Sequence, residues 1–291
     1  MEFRMIEDMF SSEDPSIVEK VYSLDRNSII EWMRKRETAP MKVWQTGNDD
    51  IAVVVPTADV KSARAKEVMR IFSGAMIVMV ESKGRFFNYA RSVNKGVSVA
   101  LESSPRWVVI TNDDVHGVDD FKKLKDELST SSKGMVLAKP SRYHSYKVSL
   151  IEVKPYFLKG MNFIGKLLKI PPAEVYGYLQ MKYGAKLGVR TLTIIDSMIG
   201  SMRNFAGEVR DSFINAGSFM VLNRRAISGK VFDETFINGY EDVHLSMKMR
   251  NDMEIVNFRI SEERGASLGF DKLRFYRLFV NEVYFNYLLW G

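Results

Sequence analysis

The chain has 291 residues, of which 46% are hydrophobic and 27% are charged, so it can bury a large core. It contains no cysteine, which excludes disulfide bonds, thiolate zinc sites and cysteine nucleophiles. Its three histidines, His116, His144 and His244, are too few to predict a histidine-based metal centre. The sequence shows neither an apolar signal-peptide region nor an uncharged run long enough to span a bilayer. We therefore expect a cytoplasmic protein that contacts a membrane, if at all, from one side.

The net charge is +6, from 42 basic minus 36 acidic residues, and it is unevenly distributed. Between Lys139 and Arg190, ten basic residues accompany two acidic ones, which gives this segment +8 and leaves −2 for the rest. Eight tyrosines and phenylalanines are interleaved with these charges. Such a segment can bind nucleic acid, an anionic membrane surface or a phosphorylated ligand. The structural alternative is a solvated basic face with its aromatic rings in the core.

Helical spacing dominates residues 1–48, which are dense in charge and without clear strand signals, so we predict a helical N-terminal extension. From residue 49 onward, apolar runs alternate with amphipathic ones. They predict strands at 51–56, 75–81, 106–111 and 134–138, and helices at 61–72, 86–101 and 119–128. Strands and helices that alternate in this way predict an α/β domain with a parallel sheet covered on both faces.

The basic aromatic segment, residues 139–190, interrupts this alternation and divides the domain of residues 49–291 into two parts, 49–138 and 191–291. Further elements are predicted after the interruption begins: helices at 174–183 and 240–250, and strands at 190–195, 218–222 and 254–258. The C-terminal stretch predicts a helix that is apolar on nearly all sides. Such a helix is buried, docked on a partner or embedded in a membrane interface.

A first acidic cluster follows the predicted strand that ends near Thr111 and consists of Asn112, Asp113 and Asp114. Carboxylates at the carboxyl end of a buried strand lie at the rim where open α/β sheets bind ligands. Hard oxygen ligands there suit Mg²⁺ or Mn²⁺, which in turn neutralise the charge on a diphosphate. A simple Asn-Asp turn before the next helix is the structural alternative.

A second acidic cluster, Glu241 and Asp242, stands in the first turn of a predicted helix, directly after a glycine and an aromatic residue. The helix N-terminus favours the anion, so we expect both carboxylates to be ionised. An ionised carboxylate can act as a general base toward a hydroxyl group. Helix capping is the structural alternative. The presence of both acidic clusters in one chain favours catalysis.

In order and content, these motifs resemble the family 2 inverting glycosyltransferases of GT-A fold, especially rhamnosyltransferase-like members. The resemblance extends from Ile51 to about Asn281 and is carried by IAVVVPT, IVMVESKG, NYARSVNKGVSVA, ITNDDV, NAGSFMVLNRRAI and FDETFINGYEDVHLSMKMR. It implies a GT-A type, Rossmann-like fold with a mostly parallel sheet flanked by helices. It also implies that a sugar passes from a nucleoside-diphosphate sugar to an acceptor hydroxyl with inversion.

The resemblance further implies roles for individual residues. It makes Asp242 the general base, with Glu241 beside it, and assigns Mg²⁺ or Mn²⁺ to Asp114 and Glu262. Glu262 occupies the position of a histidine in many members, and His244 replaces a common acid. Contacts to the donor are expected from the ends of the first strands, the following helix and the late loop, at Pro56, Thr57, Glu81, Arg91, Asn94, Asn112, Asp113, Arg264 and Ser267.

The expected partners are a nucleotide-sugar donor and a glycan, lipid-linked or protein acceptor, with peripheral membrane association; nucleic acid is not expected. Two rival functions remain. A nucleotidyltransferase normally carries a glycine-rich basic loop after the first strand, whereas PTADVKSAR contains no glycine. A non-catalytic protein that binds nucleic acid or a membrane through residues 139–190, on a degenerate GT-A fold, is the rival from another class.

Overall fold

The computed structural model describes residues 2–12, 23–117, 119–141, 143–154, 190–192, 207–262 and 272–290, together with single positions between 14 and 20 and between 156 and 167. The predicted helix at 174–183 and the end of the predicted strand at 190–195 lie outside the described residues. A seven-stranded sheet forms the centre of the described fold, and smaller sheets of three and two strands accompany it.

Seven α-helices are found in the described ranges, and most begin and end within three residues of the predicted bounds. They are α1 (Glu2–Phe10), α2 (Arg26–Lys35), α3 (Ala63–Ile71), α4 (Tyr89–Glu102), α5 (Phe121–Thr130), α6 (Glu241–Met249) and α7 (Lys272–Trp290). Side chains cap four of the starts, and at α2 Asp25 accepts a hydrogen bond from the Ser28 N–H. Ser62, Asn88 and Asp120 each accept a hydrogen bond from a backbone N–H in the first turn of α3, α4 and α5. Because Asn88 caps α4, this helix begins three residues later than predicted.

The strands follow the predicted order up to residue 138 and then depart from it. They are β1 (Lys42–Thr46), β2 (Ile51–Thr57), β3 (Met76–Glu81), β4 (Trp107–Thr111), β5 (Val115–Gly117), β6 (Met135–Leu137), β7 (His144–Val153), β8 (Arg190–Leu192), β9 (Gly207–Gly217), β10 (Phe219–Asn223), β11 (Met253–Ile255) and β12 (Ile260–Glu262). A short 3-10 helix follows β10. The prediction of a strand at 254–258 is correct only at its start.

The central sheet has the order β1-β3-β2-β4-β10-β6-β11. Strand β2 runs parallel to β3 and β4, and β11 runs parallel to β6. Strand β10 is antiparallel to both of its neighbours, and β1 is antiparallel to β3 at the edge. The chain is therefore an α/β protein whose sheet is mostly parallel in its core and flanked by helices, as predicted.

Helices cover both faces of this sheet because its strands are apolar on both sides. In β2, Val53 and Val55 pack with α3 and α5 on one face, whereas Ala52 and Val54 pack with α4 on the other. Helix α4 lies close to the sheet at Gly96. A Cβ at this glycine would stand 2.5 Å from Cγ1 of Val54, so any larger residue would push the helix away.

The prediction that residues 1–48 lack strands is wrong, because β1 pairs with β3 from Lys42 to Thr46. This strand is short and almost fully exposed at the sheet edge, where no apolar pattern is needed. Nor are the N-terminal helices a detached extension. Ile6 of α1, Ile29 and Trp32 of α2, and residues 280, 283, 284 and 285 of α7 share one buried cluster.

The basic aromatic segment also contains regular structure that the sequence pattern did not reveal. Strand β7 pairs antiparallel with β9 along its whole length, from His144 opposite Gly217 to Val153 opposite Gly207. Strand β8 completes this three-stranded sheet. Val148 and Leu150 of β7 are buried together with α6 and α7, so this strand contributes to the core.

Helix α7 is buried over its central turns, from Val280 to Asn286, and only Tyr287 and Leu288 among its large apolar side chains are well exposed in the described part. Of the three settings considered for this helix, burial is the one observed. The expectation that its aromatic face contacts a membrane is therefore wrong for these turns. In the described ranges, no helix combines the length and apolar character that crossing a bilayer would require.

Candidate active site

A cavity of about 490 Å³ opens at the carboxyl ends of β2 and β4. Strand β3 lies on one side of β2 and β4 on the other, so this is the point at which the strand order reverses. Open α/β sheets bind their ligands at such points. The cavity brings together seven of the predicted site residues: Pro56, Thr57, Asn112, Asp113, Asp114, Glu241 and Asp242. The two acidic clusters, which are far apart in the sequence, therefore meet.

The two carboxylates of the first cluster, Asp113 and Asp114, differ in their hydrogen bonding. The Thr57 hydroxyl donates a hydrogen bond of 2.6 Å to Oδ2 of Asp113, which ties the end of β2 to the end of β4. Asp114 is 94% buried, and its Oδ1 has no hydrogen-bond partner in the described ranges. A buried carboxylate oxygen without a partner is costly unless a ligand satisfies it. Asp114, rather than Asp113, is thus the free carboxylate of this cluster.

Strand pairing places the predicted partner Glu262 close to Asp114. Strand β5 begins at Val115, immediately after Asp114, and Val115 lies opposite Glu262 in the ladder with β12. Burial, together with repulsion from Glu262 and Asp113, raises the pKa of Asp114 to about 6, although the nearby positive charge of Arg64 opposes this shift. The cavity thus concentrates negative charge that a cation would neutralise.

Glu262 has contacts of its own within the protein. Its Oε1 accepts a hydrogen bond from the Ser218 hydroxyl and lies 3.3 Å from Nδ1 of the buried His144. No group of three acidic or histidine side chains suited to a metal ion occurs in the described ranges. Mg²⁺ commonly uses one or two carboxylates and completes its shell with water and substrate phosphates. Asp114, with Glu262 beside it, fits an ion of that kind, and its unpartnered Oδ1 is the observation that favours it.

We expect Asp114→Asn to raise the free energy of unfolding of the metal-free protein at about pH 7.5 and to leave it unchanged near pH 4. The folded-state pKa of about 6 exceeds the ordinary value of 3.8, so ionised Asp114 destabilises the fold. That cost is absent below the lower pKa, grows as the pH rises from the lower to the higher pKa, and is complete above the higher one. About 1.4 kcal/mol per pKa unit gives at most about 3 kcal/mol, and we expect about 1–2 after solvent screening.

Urea unfolding in EDTA at the two pH values measures this difference. Asp59→Asn, at an exposed carboxylate near the same cavity, is the control and should show no such gain. Equal stability of wild type and Asp114→Asn at both pH values would contradict the proposed charge repulsion.

The second cluster is carried by a strained turn that α7 holds in place. Asn238 and Tyr240 have positive φ angles of 56° and 70°, which are unfavourable for residues other than glycine. The Tyr240 hydroxyl donates to Oε1 of Glu282 at 2.7 Å, and the Asn281 amide bonds both the N–H and the C=O of Ile237. Tyr240 is the N-cap residue and makes no side-chain cap, whereas the carboxyl groups of Glu241 and Asp242 accept bonds from backbone N–H groups at the start of α6.

Glu241 and Asp242 differ in their surroundings and therefore in their ionisation. Glu241 is 94% buried, and its Oε2 has no hydrogen-bond partner in the described ranges. Burial raises the pKa of both carboxyl groups, and repulsion from Asp242 raises that of Glu241 further. The Asn215 amide donates to Oδ2 of Asp242 at 2.7 Å, which lowers the pKa of Asp242. These raised pKa values favour one shared proton over the two ionised carboxylates expected from the sequence, and the Asn215 bond favours Asp242 as the ionised member and Glu241 as the protonated one.

Asn215 is a site residue that the sequence reasoning missed. It is fully buried on β9, and its Nδ2 bonds the Tyr146 hydroxyl at 2.8 Å as well as Asp242. Tyr146 lies opposite it on β7. The only signal in the sequence was its place in the NAG stretch, which gives no indication of its contacts. The three-stranded sheet therefore positions the second acidic cluster.

Tyr89, at the start of α4, is a second residue that the sequence reasoning missed, and it lines the cavity together with both acidic clusters. Burial raises its pKa well above the usual value, and at the alkaline pH where a tyrosine titrates the carboxylates of Glu241 and Asp242 raise it further. Asn238 Oδ1 accepts a hydrogen bond from its backbone N–H, which fixes its position. Tyr89 thus supplies a protonated hydroxyl group among carboxylates.

Two predicted donor contacts lie outside the lining of the cavity and bond to protein groups instead. Glu81 ends β3, where its Oε2 accepts a 3.2 Å hydrogen bond from the Val60 N–H. Asn94 is buried. Its amide donates to the carbonyl of Phe232 at 2.8 Å and accepts from the N–H of the same residue at 3.0 Å. Asn94 thus fixes the loop before α6 to α4.

The remaining predicted residues are placed elsewhere. Arg91 lines a second cavity on another side of α4 and α6, which also receives His244. His244 packs against the Phe236 ring at a centroid distance of 5.6 Å, and burial lowers its pKa to about 4, so it is neutral. Arg264 and Ser267 lie outside the described residues.

We expect Gly217→Ala to destabilise the protein strongly, because Gly217 closes the cavity where β9 joins β10. Its φ of 69° is left-handed, and a Cβ there would overlap the carbonyl oxygen of Tyr143. The backbone conformation alone costs about 1–2 kcal/mol, and the overlap adds to this. Gly229→Ala is the matched control, since Gly229 has a φ of 100° but open space around it. Thermal unfolding of both variants measures the difference in stability. Equal losses of stability would show that the protein relieves the overlap with the Tyr143 carbonyl by a small shift.

Comparison with known proteins yields little similarity. No protein-family model matches the chain, and no curated protein matches it. Among solved structures, the chain is similar to A197 from STIV, with 9% sequence identity and a TM-score of 0.40 over 73% of this chain and 85% of that one.

Proposed function

We propose that this protein is an inverting glycosyltransferase that transfers a sugar from a nucleoside-diphosphate sugar to an acceptor hydroxyl, on a domain of GT-A type. One observation carries the proposal. Two acidic clusters converge on one cavity at the switch point of the sheet. Each contributes a buried carboxylate oxygen that has no hydrogen-bond partner among the residues the structure describes, Oδ1 of Asp114 and Oε2 of Glu241. The resemblance in sequence points to the same chemistry.

Asp242 acts as the general base in this proposal. Its ionised carboxylate takes the proton from the acceptor hydroxyl while that oxygen bonds to the anomeric carbon. The bond from this carbon to the diphosphate oxygen breaks on the opposite face, and the electron pair leaves with the nucleoside diphosphate, so the configuration inverts. The Asn215 amide holds Asp242 in position. Glu241 is protonated and adds no second negative charge beside the base.

Asp114, with Glu262 beside it, would hold Mg²⁺ or Mn²⁺, which supplies neutralisation of charge on the leaving diphosphate. Pro56, Thr57 and Asn112 line the part of the cavity at the strand ends, where the nucleotide would bind. The Tyr89 hydroxyl remains protonated and can donate a hydrogen bond to a phosphate or sugar oxygen. Asp113 supports the rim through its bond to Thr57.

Donor turnover tests the proposal. The protein is incubated with UDP-, GDP- and dTDP-sugars in Mn²⁺, and release of the nucleoside diphosphate is followed by chromatography. We expect release from one donor, its loss in EDTA and its loss in Asp242→Asn. Binding to DNA or liposomes without binding of any donor would contradict the proposal and favour the non-catalytic alternative.

The acceptor side of the proposal concerns the exposed part of the basic aromatic segment. Tyr156, Phe163, Ile164 and Leu167 are helical residues, and each is more than half exposed. The positions 163, 164 and 167 have the i, i+1, i+4 spacing that is typical of one helical face. The segment carries +8 between Lys139 and Arg190. An exposed apolar face within a basic segment suits the surface of an anionic membrane, and hence a lipid-linked or membrane-proximal acceptor.

We expect the protein to co-sediment with liposomes that contain anionic lipid at low salt and less at high salt, because each basic residue contributes about 1 kcal/mol near such a surface. Replacing Phe163 and Leu167 together by serine should reduce binding about tenfold or more, since two apolar side chains no longer insert. Trp44→Ser, at an exposed aromatic of β1, is the control and should bind normally. Absence of binding at low salt would favour a soluble glycan or protein acceptor.

A further inference from the structure

A second cavity, also of about 490 Å³, lies beside α6 and shares no lining residue with the acidic cavity. Four parts of the chain form its wall: the end of α2 with the residues after it, the start of α4, the loop of residues 230–237, and α6. Helix α6 therefore borders both cavities. Glu241 and Asp242 face the acidic one, whereas His244 and Lys248 face the second.

The charges of this second cavity are opposite in sign to those of the first. Five basic side chains line it, namely Arg34, Arg36, Arg91, Lys230 and Lys248, against three carboxylates, Glu37, Asp233 and Glu234. Two of the basic groups already have acidic partners: Arg36 bonds to Glu7 at 2.8 Å, and Lys230 bonds to Glu234 at 2.7 Å.

The Asp233 carboxylate is also satisfied within the protein. It accepts hydrogen bonds from the Thr235 N–H at 2.9 Å and from the Tyr284 hydroxyl at 2.7 Å. The guanidinium of Arg34 lies over the ring of Tyr287, 4.9 Å from its centroid, and this cation–π contact holds it there. The remaining charge of the cavity is positive.

Arg91 and Lys248 are the groups best placed to receive a ligand. They project from two different helices, α4 and α6. Neither has an acidic side chain within salt-bridge distance in the described ranges, although the charge of Arg91 acts on the Glu234 carboxylate of the same wall. Burial and the charge of Lys248 keep the pKa of His244 low, so this imidazole is a neutral hydrogen-bonding group in the same wall. A guanidinium, an ammonium and an imidazole from two helices match the oxygens of a phosphate group.

We propose that this second cavity is a binding site for a small phosphorylated molecule, whose phosphate lies between Arg91 and Lys248. Its volume admits a molecule larger than phosphate alone. The site is independent of glycosyl transfer and of any divalent ion. It also assigns Arg91, which the sequence resemblance placed at the donor, to a different ligand.

Titration calorimetry with inorganic pyrophosphate in EDTA tests the site. Without a divalent ion, the carboxylates of the acidic cavity repel this anion, so binding reports on the second cavity. We expect the wild type to bind pyrophosphate, and Arg91→Gln and Lys248→Gln each to weaken binding about tenfold, because each removes a charge-assisted hydrogen bond. Lys95→Gln is the matched control. Lys95 is exposed one turn further along α4 and does not line the cavity, so its variant should bind normally.

Any of three results would overturn the proposal. The first is no heat of binding for the wild type at millimolar pyrophosphate, and the second is unchanged affinity in both Arg91→Gln and Lys248→Gln. The third is an equal loss of affinity in Lys95→Gln, which would indicate nonspecific attraction to basic residues. Both positions are partly or fully exposed, and melting temperatures equal to that of the wild type will show that the variants are folded. The readout requires no sugar transfer, so its failure is distinguishable from failure of the proposed enzyme activity.

Discussion

Asp242→Asn is expected to abolish sugar transfer while nucleotide-sugar affinity stays within a few-fold of the wild type. A general base acts in the transition state and contributes little to the ground-state binding of the donor, so its loss lowers kcat rather than raising KM. Asparagine has nearly the same shape, and its amide oxygen can still accept the hydrogen bond from Asn215. A loss of about 10²- to 10⁴-fold in rate is typical for a general base.

Glu241→Gln is the matched control for this variant. Since Glu241 holds the proton, a neutral glutamine reproduces its charge, and we expect activity within about tenfold of the wild type. Initial rates of nucleoside diphosphate release and calorimetric donor affinities separate the two effects. Transfer at the wild-type rate by Asp242→Asn would exclude Asp242 as the base. Loss of activity in Glu241→Gln alone would reverse the two roles.

Asp114→Ala is expected to weaken Mn²⁺-dependent binding of a nucleoside diphosphate about tenfold or more, whereas Asp113→Ala should weaken it only a few-fold. The reason is the different state of the two carboxylates. Asp114 Oδ1 has no protein partner, whereas Asp113 Oδ2 is bonded to the Thr57 hydroxyl. Replacing Asp114 removes a ligand for the ion. Replacing Asp113 mainly removes the hydrogen bond that joins the strand ends at the rim of the cavity.

Calorimetry with the nucleoside diphosphate, with and without Mn²⁺, measures both variants. Titration in EDTA is the control, because the difference between the variants should then disappear. Melting temperatures will show whether Asp113→Ala is destabilised by loss of the bond between the strand ends. Equal affinities of the wild type and Asp114→Ala in Mn²⁺ would remove Asp114 from the proposed metal site.

Most elements up to residue 138 could be predicted from the sequence because each depends on a local pattern; the short strands β1 and β5 are the exceptions. Strand β2 is a short run of Val and Ile that is buried on both faces, which only the inside of an α/β sheet accommodates. Polar residues such as Ser62 and Asp120 mark the starts of the helices. The acidic clusters were visible for the same reason, because they directly follow a strand or open a helix.

Tertiary structure alone decided the order of the sheet and the second part of the fold. Strand β10 inserts antiparallel between β4 and β6, and no property of its five residues sets that direction. Strand β1 is exposed and polar because it lies at an edge, so it has no apolar signal. Strands β7 and β9 are stabilised by each other across a long stretch of chain.

In the candidate site, too, some features could be predicted from the sequence and others depend on the tertiary structure. The sequence by itself singled out the acids that line the cavity, since Asp114 and Asp242 are marked by their neighbours along the chain. It did not determine which side of α4 faces which cavity, so Arg91 and Asn94 were assigned to the donor although they lie elsewhere. The ionisation of the acidic pair was likewise beyond the sequence. Burial and the amide of Asn215 set it, and both exist only once distant strands have packed against α6.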